Sequence, residues 1–103
     1  MLLLPNQNRL NSNTMKHLNL TITGKVQGVF YRKNAMEQAQ KLDIKGFVQN
    51  QPDGSVYAEA EGKAEHLESF ISWCNRGPDT ARVKHVHVEE GELKNFEAFI
   101  IRT

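Results

Sequence analysis

The run Gly24-Lys25-Val26-Gln27-Gly28-Val29-Phe30-Tyr31-Arg32 constrains this chain more than any other stretch. A glycine-bounded loop runs into an apolar helical pattern, and the cations Arg32 and Lys33 fall in the first helical turn. A helix N-terminus already carries roughly half a positive charge from its aligned peptide dipoles, so each cation there costs about 0.3–1 kcal/mol unless an anion joins it. The backbone N–H groups of that turn have no acceptor within the helix, and a guanidinium fork matches two phosphate oxygens. Loop, helix end and arginine together predict a site for a phosphate-sized anion.

The surrounding pattern predicts the scaffold. Leu18, Leu20 and Ile22 alternate with Asn19, Thr21 and Thr23, which predicts a half-buried strand over 17–23. Ala35, Ala39 and Leu42 recur at helical spacing beside Met36, predicting a helix over 32–42. Two strands, 46–50 and 55–61, flank Gln51-Pro52-Asp53-Gly54, a turn sequence that closes a hairpin. Leu67, Phe70, Ile71 and Cys74 form one stripe of a helix over 63–76, with Phe70 and Trp73 in or at the edge of the core. Gly77-Pro78 supplies its stop. Val86 and Val88 mark a strand over 83–89. A last strand is expected over 96–102, although Phe96, Phe99, Ile100 and Ile101 do not alternate. The order β-α-β-β-α-β, with one further short strand, is that of an α+β ferredoxin-like sandwich. Its sheet is mostly antiparallel, four- to five-stranded, with two helices on one face.

With 103 residues the chain suits a single core. Its 13 basic and 12 acidic side chains leave a net charge of +1, so no global field draws in nucleic acid or an anionic membrane. The lone Cys74 excludes an internal disulfide framework and, within an apolar stripe, acts as a small hydrophobe; a cytoplasmic setting is expected. The opening Met1-Leu2-Leu3-Leu4-Pro5 is too short to span a bilayer. Residues 1–14 are expected to be a disordered N-terminal extension and 15–103 the folded domain. His85 and His87 share a strand face and, with Glu89, offer metal-ligand types, but a solvated face is the expectation and no metal is assigned.

Two stretches resemble a known family. Residues 24–32 are similar to the phosphate-binding signature of acylphosphatases, and Gly46-Phe47-Val48-Gln49-Asn50-Gln51-Pro52-Asp53-Gly54-Ser55-Val56 resembles their second signature, an asparagine followed by Asp-Gly. Gly77-Pro78-Asp79-Thr80-Ala81-Arg82-Val83 and Phe99-Ile100-Ile101-Arg102 also look like the family pattern, so the resemblance covers about Met15 to Thr103. It implies hydrolysis of the carboxyl–phosphate bond of small-molecule acyl phosphates without metal or organic cofactor. It further implies that Arg32 binds the phosphoryl group, that Asn50 orients the attacking water, and that the backbone of Gln27, Gly28, Val29, Phe30, Tyr31 and Arg32 cradles the phosphate. Tyr31 departs from the phenylalanine usual at its position and brings a hydroxyl that needs a partner if buried.

An acyl phosphate has a good carboxylate leaving group, so positioning and charge stabilisation suffice, and a neutral asparagine can align water without taking its proton. One alternative is a non-hydrolytic domain that binds acyl phosphate or carbamoyl phosphate. Another is an RNA-binding module of the same element order, suggested by Lys45-Gly46-Phe47-Val48 but lacking the aromatic that base stacking requires. A monomer that binds neither nucleic acid nor membrane is expected.

Overall fold

Alternation along the strands places the helices. In the computed structural model, which describes residues 14–103, β1 (Met15–Lys25) is followed by α1 (Tyr31–Lys41), β2 (Lys45–Asn50), β3 (Val56–Lys63), α2 (Ala64–Arg76), β4 (Arg82–Gly91) and β5 (Phe99–Arg102). The sheet order is β4-β1-β3-β2-β5, antiparallel throughout except for the parallel pair β2–β5. Leu18, Leu20 and Ile22 of β1, Val48 of β2, and Val56, Ala58 and Ala60 of β3 are buried with helix residues Ala35, Ala39, Leu67, Phe70 and Cys74 in one core. Phe70 is fully buried and meets Phe99 edge-on at 5.9 Å, a packing whose truncation to alanine costs about 3–5 kcal/mol. This is the ferredoxin-like α+β sandwich that the element order predicts. The expected extension over 1–14 lies outside the described residues save for Thr14, whose carbonyl already accepts the N–H of Ala64 at 3.0 Å.

The last strand is shorter than its sequence suggests. Residues 92–98 connect one edge of the sheet to the other, and Phe96 in this connection packs on the face away from the helices, against His17 and Phe47, each at 5.9 Å. Phe99 instead serves the core and Ile100 faces solvent. The aromatic and β-branched run therefore splits between two faces, which is why it does not alternate.

A buried polar cluster holds that connection down. His17 sets Nδ1 2.8 Å from Glu61 and Nε2 2.8 Å from Asn19, with Glu59 at 3.3 Å. Glu61 accepts the backbone N–H of Phe96 at 3.0 Å and that of Lys94, whose ammonium reaches Glu59 at 2.9 Å. Burial alone would favour the neutral carboxylic acids. The hydrogen bonds outweigh it: Lys94 and Tyr57 at Glu59, and Lys94, His17 and Phe96 at Glu61, hold both carboxyls below the ordinary 4.5. A group whose folded pKa is depressed stabilises the fold fully above its unfolded value and loses that contribution as pH falls through the folded one. The Tm should therefore hold from neutral pH to about 5 and fall below that. Glu61→Ala should lower stability at neutral pH by about 1–3 kcal/mol, because it leaves His17 Nδ1 and the backbone N–H groups of Lys94 and Phe96 without their acceptor. Thermal unfolding across pH and urea titration check both, and hydrogen exchange should show residues 92–98 released in the variant.

Candidate active site

The loop between β1 and α1 is built from residues that tolerate a left-handed backbone and one that resists it. At Gly24 the β1–β4 register shifts, and an added Cβ would stand 2.2 Å from the Arg82 carbonyl oxygen, so the chain can leave the sheet there only as glycine. Gly28 (φ 74°) and Phe30 (φ 65°) are both left-handed, an alternation that turns successive N–H groups into a concave, anion-accepting surface. A Cβ at Gly28 would meet nothing within 4 Å. No side chain caps α1 and no acid occupies its first turn, which leaves the positive helix end to Arg32 and Lys33. Among the described residues neither cation has a carboxylate partner within 4.0 Å.

Side-chain hydrogen bonds hold this loop against two others. The amide of Gln27 donates to the carbonyls of Gln51 and Ser55, both at 2.8 Å, joining the loop to the β2–β3 turn. Thr80, in the loop before β4, donates to the Val29 carbonyl at 2.7 Å. Because a trans peptide points its C=O and N–H in opposite directions, this fixes the Phe30 N–H on the side away from Thr80. The Phe30 carbonyl accepts both the backbone N–H of Asn34 at 3.1 Å and its side-chain amide at 2.8 Å. The β2–β3 turn is equally constrained: Asp53 accepts the N–H and hydroxyl of Ser55 at 2.9 and 2.6 Å, and these bonds lower its pKa below the usual carboxylate value.

Asn50 closes β2 directly before that turn. It lines, with Val26, Gly28, Phe30, Tyr31, Arg32, Lys33 and Ile101, a cavity of about 280 Å³ at the α1 N-terminus. Its Oδ1 is buried and has no hydrogen-bond partner, the one such oxygen among the described residues. An unpaired buried acceptor costs about 1–3 kcal/mol, so Asn50 holds an acceptor ready at the cavity wall. Arg32, half-buried, supplies the cation and the helix end supplies donors; the hollow can hold an oxyanion with a water beside it.

Of the predicted phosphate loop, Gly28, Phe30, Tyr31 and Arg32 line the cavity with Asn50. Gln27 and Val29 do not: Gln27 spends its amide on the neighbouring turn and the Val29 side chain joins the core. Thr80 and Ile101 are not among the predicted site residues. Lys33 was visible as a first-turn cation, whereas nothing local to Thr80 marks it as a partner of Val29. His85 and His87 lie exposed on β4, and no cluster of three metal-ligating side chains occurs among the described residues.

The hydroxyl of Tyr31 has found its partner. It donates to the Cys74 carbonyl at 2.8 Å in the interior. That carbonyl lies in the last turn of α2, and the N–H it would normally accept belongs to position 78, which is proline and has none. Burial raises the Tyr31 phenol far above its ordinary value and pushes the Cys74 thiol up to about 12, so both stay neutral.

The acylphosphatase family model matches residues 18–101. An acylphosphatase of Salinibacter ruber is 43% identical over 94 residues, covering 90% of this chain and 99% of that protein. One of Methylococcus capsulatus is 43% identical over 86 residues, covering 80% and 94%. The crystal structure of an acylphosphatase from Bacillus subtilis superposes with a TM-score of 0.84 at 30% identity, covering 87% of this chain and all of that one.

Tyr31→Phe should leave the cavity lining intact and lower unfolding stability by about 1–2 kcal/mol, the cost of an orphaned buried carbonyl. Urea denaturation measures it, and an unchanged midpoint would refute the capping role.

Proposed function

The chain belongs to the acylphosphatase family, and on that premise we propose which of its residues carry the reaction. The protein is an enzyme that hydrolyses the carboxyl–phosphate bond of small-molecule acyl phosphates. In our reading Arg32 grips two phosphoryl oxygens with its guanidinium fork, while the N–H groups of Gly28 to Arg32 receive the rest of the charge. Asn50 accepts a hydrogen bond from the attacking water through Oδ1. The water oxygen bonds to phosphorus, the bond from phosphorus to the bridging oxygen breaks, and the acyl group leaves as carboxylate with that electron pair. The water's proton ends on the released phosphate. No protein base is required, because the leaving carboxylate needs no proton and the phosphate can take the one that water gives up.

The observation that carries this reading is the unpartnered, buried Asn50 Oδ1 in the same cavity as Arg32. In the RNA-binding alternative the open sheet face would stack bases. Here part of that face is crossed by residues 92–98, held down by Glu59 and Glu61, and is closed to bases. We take the working form to be a cytoplasmic monomer that binds neither nucleic acid nor membrane; the near-zero net charge and the buried free thiol of Cys74 support this.

Hydrolysis of acetyl phosphate and benzoyl phosphate with EDTA present tests the proposal. The parent should turn over both. Arg32→Ala should lower kcat/KM by about a hundredfold or more and weaken inhibition by inorganic phosphate; Asn50→Ala should lower kcat by about a hundredfold while phosphate inhibition persists. A folded parent without turnover that still binds phosphate would favour the non-hydrolytic binding domain.

A further inference from the structure

Phe30 is 69% exposed, more than any other large apolar side chain among the described residues that stand out of the core. It also has φ 65°, a conformation that bulky side chains avoid. Water contact and backbone strain both disfavour a phenylalanine here, and glycine or asparagine would relieve both. The backbone that carries its ring is nonetheless held firmly. The Thr80 hydroxyl holds the carbonyl before it and two donors of Asn34 hold its own.

Phe30 lines two hollows. One is the cavity of Arg32 and Asn50; the other, about 310 Å³, is lined also by Lys33, Glu37, Pro78 and Asp79. In an acyl phosphate a single bridging oxygen separates phosphorus from the acyl carbon. With the phosphoryl group at Arg32, the acyl substituent must leave that cavity at its mouth, where the Phe30 ring is the exposed apolar surface. The second hollow carries two carboxylates against one ammonium, so it does not invite a further anion on the acyl group.

We propose that the Phe30 ring is the platform on which the acyl group lies, and that it makes this enzyme prefer acyl phosphates with uncharged aromatic or bulky apolar acyl groups over acetyl phosphate. The inference rests on the reading of Arg32 as the phosphoryl clamp. Stacking on the ring removes apolar surface of both partners from water and adds the edge and face attraction of paired aromatics. It acts on ground state and transition state alike, so its effect belongs in KM.

The test compares benzoyl phosphate with acetyl phosphate as the ratio of their kcat/KM values, in the parent and in Phe30→Asn, Phe30→Leu and Arg32→Ala. Asparagine tolerates the left-handed backbone, so Phe30→Asn removes the ring without adding strain, and every variant keeps the backbone N–H. The benzoyl-to-acetyl ratio should fall about tenfold in Phe30→Asn, carried by KM for benzoyl phosphate, and recover in part in Phe30→Leu. An equal change for both substrates, or none, would overturn the platform while leaving the clamp standing, provided Arg32→Ala has lost turnover of both. Retention of turnover by Arg32→Ala would overturn the clamp and the platform with it.

Discussion

The side-chain amide of Gln27 is where the two halves of the site meet. Arg32 stands at the start of a helix reached from β1, and Asn50 ends β2, on the far side of β3 from β1. Gln27 spans the gap by donating to two carbonyls of the β2–β3 turn at once. Both bonds are part-buried and add a second donor to carbonyls that already accept the N–H groups of Gly54 and Gln51, so one side chain ties the loop to the turn at two points. The cavity depends on that juncture, since the loop supplies its positive wall and the turn its neutral acceptor.

The opposite face of the sheet answers a different problem. A five-stranded sheet with helices on one side exposes its other side, and here residues 92–98 cover part of it with Phe96 while Lys94 and His17 meet two buried glutamates. Such a cluster adds little net stability over an apolar filling but penalises any arrangement that leaves a charge unpaired. It thereby fixes where the chain crosses before entering β5, whose Ile101 reaches the cavity from the parallel edge. Arg102 lies over the Phe47 ring at 3.6 Å and anchors the same edge from the open face.

Local chemistry made most of the fold legible. Period-two alternation in β1, the apolar stripe of α2 and the Pro-Asp-Gly turn each reflect interactions within a few residues, and the observed elements agree with them to within a residue or two at most ends. The last strand was harder, because Phe96 and Phe99 serve opposite faces and no local period records that. Tyr31 shows the same boundary in miniature. Its hydroxyl was a question in the sequence, and its answer, a helix carbonyl orphaned by Pro78, required α1 and α2 to be side by side.

The site divides along the same line. By itself the sequence determined the loop, the cationic helix start with Arg32, and the turn, since glycine placement, helix polarity and turn chemistry are local properties of the chain; Asn50 was marked out only by the resemblance to acylphosphatases. Only the tertiary structure decided that Gln27 works through its side chain rather than at the cavity, that Thr80 orients the loop, that Asn50 keeps an unpaired oxygen, and that Phe30 lines two hollows. Those facts depend on packing between segments far apart in sequence, where the partner of a polar group is set by the fold and not by its neighbours along the chain.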